Sequence, residues 1–372
     1  MARSRKAAFD VASVLLLAGA AYLDARGRRR QGAAPTQERH EHHHPFQPRR
    51  MTGERQGRDP GRGRQARSPA EIPAKGWKDI LIRAGKEFSK DQVPMVSAGI
   101  TFYSILALFP GLAALISFYG LFADPSDVPK HLQTLSAILP GGALTVVGEQ
   151  MTRLVTAKTG SLSLTAIVGL LASLWSANGA VKALMVGLNI AYEEHDERSF
   201  LKKTLISLAF TIGLLAFGIL AIFVLGAGPF IDDHIGSAAG LIFRAVSWPA
   251  LLVLMSVGLA LLYRYGPNRD PVRFRWISWG SGGAVIVWLI MSVGYSVYVA
   301  NFGHFNRTYG SLGAAIGFMM WIYLSAMVVL AGAELNAEIE HQTTVDTTKG
   351  PSRPLGARNA RMADTVGEAQ GK

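Results

Sequence analysis

Six long apolar runs between Pro94 and Ala337 constrain the fold of this chain more than any other feature. Each run is long enough to cross about 30 Å of hydrocarbon as an α-helix. A soluble helical protein would show polar faces throughout such runs, and these runs do not. The sequence therefore predicts an all-α integral membrane protein, a bundle of six transmembrane helices over residues 96–122, 162–190, 204–225, 241–263, 277–299 and 312–333.

The charges are concentrated outside these runs. The chain combines a formal net charge of +12 with a positive mean hydropathy of +0.22. Between Met1 and Lys75 it has sixteen Arg or Lys against seven Asp or Glu. We expect this basic segment to bind anionic lipid headgroups. RNA would also attract it through charge alone, but lipid is the simpler partner beside a membrane, and we expect no specific nucleic acid.

This pattern predicts four segments. Residues 1–25 contain an apolar helix over 7–23, which either associates with the membrane or is cleaved as a signal peptide. Residues 26–75 form an Arg-rich tail that we expect to be disordered, because it has almost no large aliphatic side chains. Residues 76–341 form the six-span domain, and residues 342–372 form a second disordered tail.

Two segments beside the spans have amphipathic patterns. After Gly76, five apolar residues share one helical stripe, which predicts an interfacial helix lying under the first span: Trp77, Ile80, Leu81, Ala84 and Phe88. The connection 124–161 is too long for a simple loop, and its own amphipathic pattern predicts helices on the outer surface of the membrane.

Basic residues predict the orientation. The connections 193–203 and 264–275 are rich in Arg and Lys, as are both tails. The positive-inside rule places these segments in the cytoplasm, and both ends of the six-span core with them.

Polar side chains inside the spans are the candidate site. On the second span, Asn178, Lys182, Asn189 and Glu193 are separated by four, seven and four residues, so they share one helical face and predict a polar path. Glu334 and Asn336 end the sixth span, and we expect Glu334 to pair with Lys182 at a similar depth. The alternative is that Lys182 extends to the headgroups while Glu334 meets interfacial water.

Small residues and one proline predict the shape of two helices. Gly310, Gly313 and Gly317 favour close helix packing at the start of the sixth span. Pro110 predicts a kink in the first span, since its ring removes a backbone donor.

Nothing in the sequence predicts a catalytic site, a cofactor or a specific metal site. The histidine cluster over residues 40–44 lies in the predicted disordered tail, where no fixed coordination geometry is expected. The chain has no cysteine, which excludes disulfides, thiolate ligands and cysteine nucleophiles.

Several separated motifs carry a resemblance to a known family. Residues 98–110 (AGITFYSILALFP), 175–178 (WSAN), 298–303 (YVANFG), 306–313 (NRTYGSLG) and 332–338 (GAELNAE) resemble the YihY/BrkB family of bacterial inner-membrane proteins, formerly labelled ribonuclease BN. The resemblance covers roughly residues 71–341. It implies six spans in the bacterial inner membrane and a role in envelope integrity, with export of a lipid or solute as the implied activity.

Three functions stay open at this point. A translocator of a lipid or another amphiphile fits the polar span residues. A non-transporting scaffold that binds envelope-assembly proteins is the alternative. A ribonuclease is the least supported, because such a site needs positioned acids and bases or clustered metal ligands, and outside the tail cluster the histidines are scattered.

Overall fold

The computed structural model of the 372-residue chain describes residues 61–122, 159–302 and 312–370. Most of these residues are helical, and the described part of the chain has no β-strand, only an isolated antiparallel bridge between Val272 and Thr348. A short 3₁₀ turn at Pro69–Glu71 comes first. The α-helices that follow are α1 (Ala74–Lys90), α2 (Val93–Phe122), α3 (Thr159–Ala191), α4 (Phe200–Ile235), α5 (Ser237–Tyr265), α6 (Phe274–Phe302), α7 (Leu312–His341) and the single-turn α8 (Arg361–Asp364).

The six long helices, α2 to α7, contain the six apolar runs. Within the described residues, four of them carry a stretch long and apolar enough to cross a membrane: Phe200–Ala221, Ala238–Tyr265, Phe274–Val299 and Ala315–His341. In α2, the residues Val93–Ala107 form a shorter apolar stretch. The chain is therefore an all-α, multi-pass membrane protein, while the count of six spans remains a prediction.

The long helices are packed in chain order. Each of them contacts the next, and α7 returns to contact α2 and α3. Large apolar side chains such as Leu214, Ile219 and Ile290 are more than half exposed on the helices. Such surfaces are unfavourable in water and suit a hydrocarbon solvent, in which helices satisfy their own backbone hydrogen bonds.

Glycines allow the closest approaches between these helices. At Gly332 of α7, an added Cβ would lie 2.5 Å from the Tyr263 hydroxyl and 2.7 Å from the Ala284 Cβ. At Gly317, one of the predicted packing glycines, an added Cβ would lie 3.5 Å from the Tyr295 hydroxyl, which is an ordinary contact.

Three other shape predictions are not tested. Gly313 begins α7, but its surroundings are not described, and Gly310 lies outside the described residues. Pro110 lies within α2, and its side chain is not described, so the kink remains a prediction.

The amphipathic helix is present as α1, but it lies differently from the prediction. Ile80 is fully buried, and Trp77 and Phe88 pack against the core, while Leu81 is exposed. The helix packs chiefly on the end of α7 and less on the first long helix, α2. Its polar residue Asp79 is buried on the same face as Ile80, while Lys78, Leu81 and Gly85 are exposed on the opposite face.

Part of both tails is packed, where the sequence predicts disorder. Arg64 Nη2 donates to the Gly367 carbonyl at 2.7 Å, and the Thr343 hydroxyl donates to the Ala66 carbonyl at 2.8 Å. Arg358 is buried and donates to the carbonyls of Thr344 and Ala363. The prediction of disorder is therefore wrong for residues 61–75 and 342–370.

The error has a physical cause. An arginine-rich composition is typical of a solvated chain, whereas here the guanidinium groups of Arg64 and Arg358 each donate to two or more backbone carbonyls. Residues 1–60 lie outside the described part, and with them the helix at 7–23 and the histidine cluster. The predicted outer-surface helices of 124–161 lie outside it too, apart from the start of α3.

One end of the bundle is formed by α1, the connections 192–199 and 266–273, and the segment 342–370. We call it the basal end. The Asn268 amide nitrogen donates to the Asn189 side chain at 2.8 Å, and Arg198 Nη2 donates to the Gly266 carbonyl at 2.9 Å. The two basic connections therefore lie on the same side, as the sequence predicts.

Candidate functional site

The predicted stripe on α3 divides into two parts. Asn189 and Glu193 belong to the basal end, where Asn189 bonds to Asn268 and Glu193 pairs with Arg361 at 2.5 Å. Asn178 and Lys182 lie deeper in the helix. Asn178 is buried, and its Oδ1 has no hydrogen-bond partner among the described residues. The first pair joins connections together, so only the second is available as a polar path.

Lys182 faces the groove between α3 and α4. Its Nζ donates to the Thr204 hydroxyl at 3.0 Å and lies 5.0 Å from the centre of the Phe200 ring and 5.8 Å from that of Trp175. Phe200 and Trp175 are 73% and 70% exposed, so this groove opens to the outer surface of the bundle. Within the described part of the chain, Lys182 has no carboxylate at ion-pairing distance.

The predicted pair between Lys182 and Glu334 is wrong. Gly187 of α3 lies against Leu330 of α7, which fixes the register of the two helices. Lys182 is five residues from this contact in one direction, and Glu334 is four residues from it in the other. At a rise of 1.5 Å per residue, the two side chains are separated by about 13 Å along the helices. The sequence predicts the lengths of the spans but not the register between α3 and α7, which sets this separation.

Glu334 is instead buried at the basal end, beside Asp91 in the turn between α1 and α2. Glu334 is 2% exposed, and its Oε1 has no hydrogen-bond partner among the described residues. The carboxyl groups of Asp91 and Glu334 lie within hydrogen-bonding reach of each other. Burial, and then the charge of Glu87, raise the pKa of Asp91 to about 6.

Asn336 holds α7 against α6. Its Oδ1 accepts a hydrogen bond from the Gly280 backbone nitrogen at 3.0 Å, and only a residue without a Cβ leaves room for that contact. Its Nδ2 is buried without a partner in the described structure, close to Tyr192. Asn336 is therefore a packing residue as well as part of the polar cluster at the basal end.

Two buried ion pairs at the basal end were not identified from the sequence. Arg83 Nε on α1 donates to Glu338 Oε2 on α7 at 2.5 Å, and Arg269 Nη1 donates to Glu340 Oε2 at 2.5 Å. The Arg269 guanidinium also lies 4.1 Å from the centre of the Tyr192 ring. The cluster of Glu334, Glu338 and Glu340 near the end of α7 is the sequence signal that could have predicted these pairs, since acidic residues at the end of a span require partners.

A polar cleft of about 510 Å³ opens on the basal end. Its walls come from both basic connections and from the C-terminal segment, and include Glu193, Glu194, His195, Asn268 and Arg361. Burial raises the pKa of Glu194, although the Arg361 backbone nitrogen donates to its carboxylate. In the part of the chain that the structure describes, no group of three or more His, Asp or Glu side chains is arranged to hold a metal ion.

Comparison with known sequences decides the family. The sequence model of the virulence factor BrkB family matches residues 84–356, from within α1 to the C-terminal segment. This chain belongs to the BrkB family. The resemblance seen in the separated motifs is thereby confirmed, and the family match extends past α7 into the packed tail.

Relatives of this BrkB-family chain include one from Bacillus subtilis, the ribonuclease-like protein YfkH, which is 28% identical over 65% of this chain and 88% of its own length. A UPF0761 membrane protein from Idiomarina loihiensis is 24% identical over 69% of this chain and 89% of its own. Another from Neisseria meningitidis is 25% identical over 69% of this chain and 62% of its own. No solved structure matches the chain.

Proposed function

We propose that this BrkB-family chain is a non-enzymatic protein of the bacterial inner membrane that moves a phospholipid, or an amphiphile with the same headgroup chemistry, between leaflets. Such an activity would contribute to envelope integrity. The observation that carries the proposal is Lys182, a cation inside an apolar helix that faces an open groove rather than a carboxylate partner.

The energetics favour an anionic ligand at Lys182. A lysine at the centre of a span costs about 2.5–3.5 kcal/mol on insertion scales, and the cost is smaller for Lys182, whose ammonium group lies beside the first turns of α4. Most intramembrane charges are compensated by a protein partner, but Lys182 has only the Thr204 hydroxyl and two aromatic rings. A phosphate in the groove would supply the missing charge, and a charge-assisted hydrogen bond contributes about 1.5–3 kcal/mol.

The surroundings of Lys182 suit a lipid more than a soluble solute. Phe200 is the first residue of α4 and Trp175 lies on α3, and both rings are exposed beside the Lys182 ammonium group. Aromatic rings of this kind are enriched where hydrocarbon meets headgroups. Asn178, one turn further along α3, provides a second polar group deeper in the bundle.

The charges of the connections support a cytoplasmic basal end. Arg198, Lys202 and Lys203 lie in or just after one connection, and Arg269 and Arg273 lie in the other. On the positive-inside rule, Lys182 then faces the inner leaflet, from which an exported lipid would be collected.

Purified protein in liposomes tests the proposal. Vesicles would contain a phospholipid with a fluorescent headgroup, and dithionite added outside would bleach only the outer leaflet. We expect protein to make nearly all the label accessible. We expect Lys182→Met to slow this movement about tenfold, the equivalent of 1.4 kcal/mol, and Lys182→Arg to retain most of it.

Lys349→Met is the matched control, because Lys349 is exposed in the C-terminal segment and the charge change is the same. Bleaching that stops at half of the label, with protein that is folded and incorporated into the vesicles, would contradict the proposal and would favour the non-transporting scaffold. Equal rates of lipid movement for Lys182→Met and Lys349→Met would show that Lys182 does not bind the lipid as it crosses.

A further inference from the structure

Glu334 is a buried carboxyl group without a compensating cation among the described residues. It is 98% buried, and no cation lies within ion-pairing distance of it in the described part of the chain. A buried carboxylate without a compensating charge is strongly unfavourable, and such a group usually becomes neutral by binding a proton.

The neighbouring charges make an ionised Glu334 still less favourable. On α1, Glu87 pairs with Lys90 at 2.6 Å, and on α7, Glu338 pairs with Arg83 at 2.5 Å and lies 3.6 Å from His341. At the end of α3, Glu193 pairs with Arg361. The acidic groups around Glu334 therefore use the available cations, and they add to the repulsion that an ionised Glu334 would meet.

Asp91, unlike these acidic groups, has no cation at ion-pairing distance among the described residues. Its carboxyl group faces that of Glu334. Two adjacent carboxylates cannot both ionise without a large penalty, whereas one proton between them makes a hydrogen bond. In that bond the Glu334 hydroxyl donates and an Asp91 oxygen accepts.

The two residues differ in access to solvent. Asp91 lies in the turn between α1 and α2 and is partly exposed, while Glu334 lies behind it and is closed off. At the basal ends of α3 and α7, Tyr192 Oη and Asn336 Nδ2 are also buried without partners in the described structure.

We propose that Asp91 and Glu334 form a proton-binding pair, which holds one shared proton at neutral pH and exchanges it with water at the basal end through Asp91. If the protein moves lipid, which rests on the function proposed above, the pair couples that movement to the proton gradient.

Infrared spectroscopy of the full-length protein tests the site directly. The carbonyl stretch of a protonated carboxylic acid is separate from the carboxylate bands. We expect wild-type protein at neutral pH to show this band, and to lose it on titration to alkaline pH with release of one proton per chain more than Glu334→Gln releases. Glu334→Gln should abolish the band, and Asp91→Asn should shift it, because the acceptor changes.

Glu197→Gln is the control, since it makes the same chemical change at an exposed carboxylate of the basal end. Glutamine at position 334 preserves the shape of a protonated glutamate, so we expect the variant to fold. A band that persists unchanged in Glu334→Gln, or no band in wild-type protein at neutral pH, would overturn the proton-binding pair.

The coupling is tested separately from the site. In liposomes with an imposed pH gradient, we expect the rate of lipid movement to follow the gradient in wild-type protein and to be independent of it in Glu334→Gln. A gradient-independent wild-type rate would overturn the coupling but not the pair. No lipid movement at all, with the infrared band intact, would contradict the proposed function instead.

Discussion

Arg269, in the connection between α5 and α6, donates from Nη1 to Glu340 Oε2 on α7 at 2.5 Å, and both side chains are at most 2% exposed. The other carboxylate oxygen of Glu340 accepts a hydrogen bond from the Thr347 hydroxyl at 2.7 Å. This ion pair joins three separate segments of the basal end. It also shows that a charge in the basic connection is a structural element as well as a signal of orientation.

Removing one partner of this pair should be strongly destabilising. We expect Arg269→Met or Glu340→Gln to lower the free energy of unfolding by about 3–5 kcal/mol, because the remaining group is buried without its partner. The double variant should lose less than the sum of the two single losses. Thermal unfolding in detergent measures this cycle, and additive losses would show that the two charges do not interact.

Glycine substitutions separate tight from ordinary helix packing. We expect Gly332→Ala to be destabilising by about 1–3 kcal/mol, because the new Cβ meets the Tyr263 hydroxyl and the Ala284 Cβ. The control is Gly317→Ala on the same helix, where the nearest atom is 3.5 Å away and the change should be close to neutral. Melting temperatures in detergent compare the two, and equal losses would contradict the helix contacts described above.

The titration of Asp91 should be visible in the pH dependence of stability. Its pKa is raised from the ordinary 3.8 to about 6. The folded state therefore favours the protonated form, and the stabilisation present below the ordinary value is lost as the pH rises through about 6. The difference in melting temperature between wild type and Asp91→Asn should fall across this window. A constant difference would mean that Asp91 titrates normally.

The absence of native cysteine allows a direct test of topology. We expect single cysteines at Glu197, in the connection before α4, and at Asp233, near the other end of α4, to react from opposite sides of the membrane. An impermeant thiol reagent applied to intact cells should label only the second. If the reagent labels both positions, α4 does not cross the membrane, and labelling of Glu197→Cys alone would invert the orientation.

Much of the helical framework is predictable from the sequence, because lipid exposure requires long apolar runs and helices must satisfy their own backbone groups. The predicted runs fall inside the six long helices, while the polar path on the second span remains a prediction. The pairing of Lys182 with Glu334 was not predictable, since it depended on the register between α3 and α7. That register is set by a local fit of Gly187 against Leu330, which periodicity does not reveal.

The packed tails were missed for a different reason. Segments such as 342–370 have the composition of disordered chains, and their order depends on hydrogen bonds over long sequence separations. Arg64 and Gly367, for example, are 303 residues apart in the chain. The carboxyl pair at Asp91 and Glu334 was missed likewise, because a turn and a helix end meet there only after folding.

Native mass spectrometry of the protein released from mild detergent tests most directly whether Lys182 binds the phosphate of a membrane lipid. We expect wild-type protein and Lys182→Arg to retain a bound phospholipid, and Lys182→Met to lose it while Lys349→Met keeps it. The loss should be about tenfold in occupancy at limiting lipid, as for one charge-assisted hydrogen bond. Equal retention of phospholipid by Lys182→Met and Lys349→Met would contradict this binding.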